Sequence, residues 1–419
     1  MEGIEIVPEE KGFCKARCYP VVVAEKIEGA VVVPEVSGYP DSKMEIIAPC
    51  NIRETLGVTD GDMVKVGIVV EKVRSSLLKE RHIKCCLEKN VESSLTTGFE
   101  RYYLVNQSLP GIAFEDIDTS SSFLGKKIST PFIISPMTGG TDVSTKVNKN
   151  LAKAAQELGI VMSVGSQRLA LEDPSLIPTY QVRDVAPDIP LLANLGAIYL
   201  NYGYGPEECK RAVEMIGADG LVLYLNPLQK RLQGGFNSDF KNLVKKISQV
   251  CKELDVPVIV KEVGFGLSSS AGVMLREAGV WGLDVAGAGG TSWAKIERCM
   301  NEEEDNLHQV GNAFDNWGIP TADSLVFILE VINDIPIIAS GGIRNGVEMA
   351  KAIALGASYV GMALPLLAPA MESHEAVKEK IQSLIDEFKT AMFCCAKKDL
   401  DDLRKGDCIK KINALEDKR

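Results

Sequence analysis

The chain has 419 residues, of which 46% are hydrophobic, 25% charged and 6% aromatic. That length allows one large domain with a small companion, and the composition is that of a globular α/β protein rather than a disordered or fibrous chain. The net charge of −11 argues against nucleic acid as the main ligand, because phosphate backbones are bound by basic surfaces. A few local Lys and Arg residues can still bind a phosphorylated small molecule.

Eleven cysteines and an N-terminus without a basic start or an apolar core favour reduced thiols and a cytoplasmic location. The longest apolar stretch, 359–371, contains two prolines and is shorter than the ~20 residues that a membrane-spanning helix needs. We therefore predict no membrane segment. Cys14, Cys18 and Cys50 have the only tolerable metal-ligand spacing, and ordinary buried thiols are the simpler interpretation, so no metal site is predicted.

Residues 1–72 predict a compact, β-rich segment. Its β-branched runs lie at 20–23, 31–33, 45–47 and 64–70. Turn formers such as Glu28-Gly29 and Asp60-Gly61-Asp62 separate them. Asn51, the following IRETL and Gly57 predict one short helix that ends at the glycine.

Eight short, nearly all-apolar runs recur from residue 132 onward, which is typical of parallel strands buried on both faces. They lie at 132–137, 161–166, 191–196, 221–226, 258–264, 282–287, 337–342 and 359–364. Helical patterns fill most of the intervals, at 148–158, 206–216, 239–254, 271–278 and 347–355. Eight βα units in about 240 residues favour a closed barrel, with an open doubly wound sheet as the alternative.

The predicted fold is therefore α/β, a (β/α)₈ TIM barrel preceded by a small β-rich domain. The barrel and a C-terminal helix occupy 132–419. Residues 73–131 link the two parts and include a charged, helical stretch around 79–90.

Ligands of such a barrel bind where the strands end and the βα loops begin. The sixth strand ends in Gly287-Ala288-Gly289-Gly290, and the seventh in Ser340-Gly341-Gly342 followed by Arg344. Glycines let the backbone approach a phosphate closely, and the N-terminus of the next helix offers unpaired N–H groups to an anion. We predict a phosphate site here, although the glycines alone would also fit a simple tight turn.

Lys261 lies in the middle of the apolar fifth strand, where burial without an anionic partner is costly. One interpretation is that it stabilises negative charge on the edge of a reduced flavin ring. The alternative is an internal ion pair with Glu262 or Asp284. Thr138, Ser166 and Asn194 are candidates for hydrogen bonds to the same ring, or are strand-end caps.

Nine motifs in this order resemble type 2 isopentenyl diphosphate isomerase, the flavin-dependent form. They are MTGGT, GSQR, ANLGA, LNPLQ, VIVKEVG, DVAGAGGTSW, NWGIPT, IIASGGIR and GMALPLL, and the resemblance covers about 79–367. It implies an FMN-binding barrel, a homo-oligomer (dimer or tetramer), and the interconversion of isopentenyl and dimethylallyl diphosphates in isoprenoid biosynthesis. It also implies NADPH as the reductant that keeps FMN in its working form.

The resemblance assigns site residues position by position. Implied FMN contacts are Met137, Thr138, Gly139, Ser166, Asn194, Lys261, Thr291, Gly341, Gly342, Arg344, Ala363 and Leu364. Implied contacts to the phosphorylated substrate are Lys79, Gln167, Arg168, Asn226, Gln229 and Lys230, with Gln229 and Lys261 as the catalytic residues and Gln229 as the proton relay.

Three positions depart from the family pattern. Tyr224 stands in place of a histidine, Leu78 in place of an arginine, and Lys230 in place of a glutamate that ligates Mg²⁺. An ammonium group cannot ligate Mg²⁺ but can neutralise a phosphate directly, so a Mg²⁺ requirement is doubtful. We predict that Lys230 replaces the metal, which makes the enzyme independent of Mg²⁺ or redirects it to a different phosphorylated substrate. The alternative is that Lys230 points to solvent and the site is degenerate.

The front segment, with GFCKARCYPVVV and APCNIRETLG, is similar to the C-terminal half of archaeal CTP-dependent riboflavin kinase. The resemblance implies an archaeal source, and we expect no kinase activity without that family's nucleotide-binding half. Two rival functions for the barrel stay open. One is an FMN-dependent oxidoreductase, for which none of His82, His308 and His374 is well placed as a base, and the other is a non-catalytic FMN-binding protein.

Overall fold

The computed structural model describes residues 4–6, 14–24, 27–36, 39–40, 43–68, 71–234, 238–300 and 306–412. The chain divides into two compact units, Met1–Leu78 and Lys79–Arg419.

The strands are β1 (Ile4–Ile6), β2 (Ala16–Val23), β3 (Ile27–Pro34), β4 (Glu45–Ile47), β5 (Val66–Ile68), β6 (Tyr102–Leu104), β7 (Ser121–Phe123), β8 (Lys126–Ile128), β9 (Phe132–Ile134), β10 (Val161–Ser163), β11 (Leu191–Gly196), β12 (Gly220–Tyr224), β13 (Val258–Lys261), β14 (Gly282–Asp284), β15 (Ile337–Ser340), β16 (Tyr359–Met362) and β17 (Ile409–Lys411). The helices are α1 (Ile52–Leu56), α2 (Glu71–Glu88), α3 (Asp142–Leu158), α4 (Arg168–Glu172), α5 (Pro206–Ile216), α6 (Pro227–Leu232), α7 (Leu243–Glu253), α8 (Ser269–Glu277), α9 (Trp293–Met300), α10 (Asn306–Ala313), α11 (Thr321–Leu329), α12 (Gly346–Ala354), α13 (Leu364–Glu372), α14 (His374–Cys394) and α15 (Leu400–Arg404).

The front unit is an antiparallel sheet in the order β1-β2-β3-β4, with β5 paired to β2. The predicted helix is confirmed as α1, whose N-cap Asn51 accepts from the amides of Arg53 and Glu54 and whose C-cap Gly57 is left-handed. The predicted turn at Glu28-Gly29 is wrong, because both residues lie in β3 and pair with β2. A Cβ atom on Gly29 would lie 2.5 Å from Ile47 O, so this glycine permits close approach of β4 rather than a turn.

Strands β9 to β16 close into a parallel barrel in chain order, with β16 paired back to β9. The predicted (β/α)₈ barrel is thus confirmed, and the open-sheet alternative is wrong. The described barrel strands are buried along almost their whole length, as expected of strands covered by helices on the outside.

Side chains alternate between the two faces of each strand, and the barrel separates them into two apolar clusters. The outward-facing cluster packs against the helices. The inward-facing cluster contains Ile133, Val161, Leu192, Val222, Ile259, Ile338 and Tyr359. Phe123 and Ile128 of the β7–β8 hairpin join this inner cluster, with the Phe123 ring 4.9 Å from that of Tyr359. The hairpin therefore seals the end of the barrel where the strands begin.

Among the residues described, no helix is both long and apolar enough to cross a membrane. All eleven cysteines are free thiols. Cys14 and Cys50 are exposed, so the expectation that these two thiols are buried is wrong.

Candidate active site at the carboxyl end of the barrel

The inward-facing positions two residues beyond the apolar layer are mostly polar. They are Ser135, Ser163, Asn194, Tyr224, Lys261, Asp284 and Ser340. Most of these side chains are buried. Because the β7–β8 hairpin closes the opposite end, this polar layer forms the floor of a site that opens toward the carboxyl ends of the strands.

Lys261 is held in this floor by its neighbours. Its Nζ donates to the carbonyl oxygen of Glu262 at 2.6 Å and lies 3.8 Å from Asp284 Oδ2. Ser340 donates to the other oxygen of Asp284 at 2.6 Å. The ion pair with Asp284, one of the alternatives from the sequence, is therefore present. A flavin role for Lys261 stays a prediction.

The Glu262 carboxylate does not serve mainly as the ion-pair partner of Lys261 that the sequence suggested. Its Oε2 accepts from three consecutive backbone amides, those of Val263, Gly264 and Phe265, at 2.6–2.8 Å. Burial raises the pKa of Glu262 to about 7, and these hydrogen bonds oppose the rise. Glu262 thus fixes the loop after β13 rather than neutralising Lys261 directly.

Three buried polar atoms at the strand ends have no hydrogen-bond partner within the described part of the chain: Asn194 Nδ2, Ser135 Oγ and Asn226 Oδ1. Leaving such groups unpaired costs about 1–3 kcal/mol each. Asn194 and Ser135 belong to the floor, so a polar ligand seated there would satisfy them.

The glycines after β14 and β15 form a structure that we call the cradle, defined as Gly287, Gly289, Gly290, Gly341 and Gly342. A Cβ atom on Gly290 would lie 2.3 Å from Gly342 N, and one on Gly342 would lie 2.4 Å from the Gly289 carbonyl group. Gly342 also has φ +80°, which favours glycine. The two loops therefore pack backbone against backbone.

The helix after the cradle uses two of the amides in its first turn within the protein, which leaves fewer for an anion than the sequence suggested. In α12, Gly346 N donates to Glu387 and Glu348 N donates to the N-cap Asn345. By contrast, α13 follows β16 directly at Ala363 and has no side-chain cap. Its first turn carries the predicted contacts Ala363 and Leu364. Pro365 has no N–H and Leu366 N donates to Ala363 O, so anion binding there would depend on the amides of those two residues.

Several predicted FMN contacts have side chains engaged within the protein. Arg344 donates through Nε and Nη2 to Glu92 at 2.9 and 2.5 Å. The Thr138 hydroxyl bonds to Ser144 at 2.8 Å. Met137, Gly139, Ser166 and Thr291 lie in the loops at the carboxyl end of the barrel.

Gln229 lies on α6, within a buried chain of polar groups. Its Oε1 accepts from Asn226 Nδ2 at 2.8 Å, and its Nε2 donates to Glu297 Oε1 at 2.8 Å. Gln233 donates to the same carboxylate oxygen at 2.8 Å. Burial raises the pKa of Glu297 to about 7, so this group can both hold and release a proton near neutral pH.

Sequence reasoning missed Glu297. The available signal was its spacing, since it lies three residues after Ala294 and three before Met300 on the buried face of α9. A carboxylate on an apolar helix face marks a group that needs a partner.

His82 precedes the barrel in the sequence and was therefore not expected near the site. Helix α2 brings its Nε2 to 3.6 Å from Glu297 Oε1, and its ring lies edge-on to Trp293 at 5.3 Å. Burial lowers the pKa of His82 to about 3, and the positive charges of Lys79 and Arg81 contribute to this lowering to a smaller extent. His82 is therefore a neutral wall of the site.

Three cationic residues, Lys79, Arg168 and Lys230, form what we call the cation cluster. Lys230 Nζ donates to the hydroxyl of Tyr199 at 2.9 Å, and the Arg168 guanidinium lies 5.3 Å from the centre of the Tyr199 ring. Burial, then the charge of Arg168, lowers the pKa of Lys79 to about 8. Lys230 is half-buried against the tyrosine, and burial lowers its pKa, so the solvent-facing alternative for Lys230 is wrong.

The structure does not bring Gln167 to the open site. Its side chain is fully buried, with Nε2 donating to Ala212 O at 2.8 Å and Oε1 accepting from Asn194 N at 2.9 Å. It ties α5 to β11, which positions Asn194.

Comparison with known proteins agrees with this architecture. The model of the FMN-dependent dehydrogenase family matches residues 85–173 and 225–411, and the chain belongs to that family. A solved mandelate oxidase superposes with a TM-score of 0.57 at 16% identity, covering 82% of this chain and 100% of that one, which supports the barrel fold.

Closer relatives narrow the family. Proteins named isopentenyl-diphosphate delta-isomerase from Synechococcus and Rickettsia felis are each 47% identical to this chain. The alignments cover 79% and 78% of this chain and 95% of each relative. The chain therefore belongs to the isopentenyl-diphosphate delta-isomerase family, which confirms the resemblance. The CTP-dependent riboflavin kinase domain model, described as a domain of unknown function (DUF120), matches residues 1–68 and confirms the resemblance of the front unit.

Proposed function

We propose that this protein is an enzyme that interconverts isopentenyl and dimethylallyl diphosphates with the help of FMN. The observation that carries the proposal is Glu297, a buried carboxyl group that can hold a proton and accepts a hydrogen bond from Gln229, in the same barrel mouth as the cation cluster. The reaction moves a proton onto one alkene carbon and off another while the diphosphate stays charged, so it needs both features.

The residues present fit FMN. The cradle and the uncapped start of α13 suit its phosphate, and the unpaired groups of Asn194 and Ser135 suit the polar edge of its ring. When bound and reduced, with NADPH as the proposed reductant, FMN supplies an electron-rich ring that stabilises positive charge developing on the alkene carbons. Lys261, which lies in the floor beside Asp284, would hold the ring edge by charge.

Glu297 would take up the proton that leaves one substrate carbon, with Gln229 as the relay that positions it. The proton that the other carbon gains would be supplied by bound, reduced FMN. Two amides donate to one Glu297 oxygen, which stabilises the carboxylate form in which the group acts as a base. The pKa of about 7 places the working range at neutral pH. Asn226 fixes the Gln229 amide from the other side, so that only one orientation satisfies both neighbours.

The cation cluster would bind the diphosphate, whose negative charges need cationic partners in a partly buried site. Lys230 adds a fixed positive charge at the position where the family resemblance implies a magnesium ligand. We therefore propose that binding and turnover do not require Mg²⁺. Activity of the reduced protein in EDTA should match activity in Mg²⁺, whereas Lys230→Glu should become dependent on Mg²⁺. Full loss of wild-type activity in EDTA, restored by Mg²⁺, would overturn this part.

One experiment tests the function itself. Isopentenyl diphosphate is incubated with the FMN-reconstituted, reduced protein in D₂O. Deuterium in the substrate pool supports the isomerase, flavin oxidation on substrate addition supports hydride transfer, and silence in both supports a non-catalytic flavoprotein. The variant Tyr103→Phe, changed at an exposed position, is the control and should give the same result as the wild-type protein.

The isomerase is favoured over the oxidoreductase by the histidines as well as by the relatives. His82 is the histidine close to Glu297, and a group with a pKa of about 3 is a poor proton acceptor at neutral pH. His374 is the first residue of α14, and its Nδ1 lies 2.9 Å from Glu375 Oε2. The position of His308 in α10 leaves its side chain outside the described residues.

The remaining assignments are proposals that follow from the family resemblance: a homo-oligomer, a cytoplasmic location, an archaeal source and a front unit without kinase activity. The named relatives given above are bacterial, so the archaeal source rests on the resemblance of the front unit alone.

A further inference from the structure

Tyr199 contacts two members of the cation cluster at once. It lies on the 3₁₀ turn Ala197–Asn201, directly after β11. Lys230 Nζ is 2.9 Å from its hydroxyl and 4.9 Å from its ring centre, and the Arg168 guanidinium is 5.3 Å from the same centre. One aromatic side chain therefore touches both cationic heads.

The backbone makes room for this arrangement at Gly196, the last residue of β11. A Cβ atom there would lie 2.9 Å from the phenol end of Tyr224 and 3.0 Å from Tyr199 Cδ2. Any larger residue would push one of the two rings away. The Tyr224 hydroxyl in turn lies 3.4 Å from the Ser166 hydroxyl. This contact links Tyr224 to the loop that follows β10.

The charges explain why an aromatic ring is needed. Arg168 and Lys230 repel each other, and Lys79 adds a third positive charge near Arg168. The negative face of an aromatic ring attracts cations, and the hydroxyl oxygen accepts from the ammonium group, so Tyr199 offsets part of the repulsion. Arg168 is also paired with Glu172, to which its Nη1 donates at 2.8 and 2.9 Å. Tyr199 adds its contacts to Arg168 and Lys230 without a second full negative charge that would compete with an anionic ligand.

We propose that Tyr199 is a positioning residue that holds Arg168 and Lys230 together on one diphosphate group, without a metal ion. Its hydroxyl accepts a hydrogen bond that orients the Lys230 ammonium group, and its ring attracts both cations. The identity of the organic part of the ligand rests on the proposed function, whereas the diphosphate site itself does not.

The direct test is binding of inorganic diphosphate to the full-length, FMN-reconstituted protein in EDTA, measured by calorimetry. Wild-type protein should bind. Tyr199→Phe, which keeps the ring and loses the hydroxyl, should bind about fivefold more weakly, and Tyr199→Leu, which loses both, about thirtyfold more weakly. The exposed-residue control Tyr103→Phe should bind as wild type.

Further readouts separate positioning from general damage. FMN affinity and the unfolding temperature should be unchanged in Tyr199→Phe, and in turnover KM should rise while kcat stays nearly constant. Wild-type affinity in both Tyr199 variants would overturn the inference, as would diphosphate binding that requires Mg²⁺. Should Tyr199→Leu fail to fold, Tyr199→Phe decides alone. Diphosphate binding that depends on Tyr199, without any isomerisation, would support the inference and refute the proposed function.

Discussion

The two proposed anion sites have opposite construction. The cradle is backbone only, and its two loops come so close that Gly290 and Gly342 leave no space for a side chain. The cation cluster is made of side chains, and burial lowers the pKa of two of its members, Lys79 and Lys230. A backbone site cannot be titrated and has few tolerated variants, whereas a side-chain site can be tuned by pH and by single substitutions.

This difference matches what each site would hold. A resident cofactor phosphate calls for a permanent site, while a substrate that must enter and leave suits a site whose charge can be adjusted. Lys230, a departure from the family pattern, belongs to the side-chain site, and Tyr224, another departure, lies near Lys230 and Arg168. The cradle keeps the glycine motif that carried the resemblance.

The largest effect on cofactor binding is expected at the cradle. In Gly290→Ala, the new methyl group would collide with Gly342 N, and no flexible side chain is there to yield. We expect roughly 10- to 100-fold weaker FMN binding, measured by flavin absorbance and titration of the apoprotein. Gly205→Ala is the control, because its Cβ would meet only Glu208 Oε2 at 3.9 Å. Normal FMN content in Gly290→Ala would mean that the loops do not form a phosphate site.

On turnover, the largest effect is expected from the loss of the base. Glu297→Gln should lower kcat by about 10²- to 10³-fold, because an amide cannot accept the proton. Wild-type turnover should rise with pH as Glu297 ionises near 7, and the small residual rate of the variant should lack that rise. Glu277→Gln, at an exposed position, is the control. An unchanged pH profile in Glu297→Gln would assign the proton to another group.

A smaller, pH-dependent effect is expected at Lys79. Its pKa of about 8 means that its charge is lost as the pH rises through 8, so diphosphate affinity should fall there while FMN affinity changes little. Lys79→Arg should lack this fall, because arginine stays protonated. Lys79→Met should bind diphosphate about tenfold more weakly at pH 7. Parallel pH profiles for FMN and diphosphate would break the contrast between the two sites.

The smallest effect is expected at Arg344, although the family resemblance names it as an FMN contact. Because its guanidinium is paired with Glu92 at a partly exposed position, Arg344→Met should weaken FMN binding by less than about threefold. A loss above tenfold would show that Arg344 leaves Glu92 to bind the phosphate, and that the cradle is not made of backbone alone.

The local sequence determined the fold and the cradle. The eight apolar runs are β9 to β16, because continuous burial on both faces demands aliphatic residues at every position. The glycine motifs predicted close backbone approach, since no other residue fits there. Lys261 and Asn194 were also identified from their polarity within apolar runs, although Lys261, predicted in the middle of its strand, is the last residue of β13.

Only the tertiary structure decided which polar groups meet. Gln229 and Glu297 are 68 residues apart in the chain, and nothing local in either segment indicates that one faces the other. The same holds for His82 beside Glu297, for Gln167 turned toward α5 instead of the site, and for Lys230 against Tyr199. Hydrophobic periodicity is a property of neighbouring residues, whereas a hydrogen bond between distant side chains depends on how the helices and loops pack around the barrel.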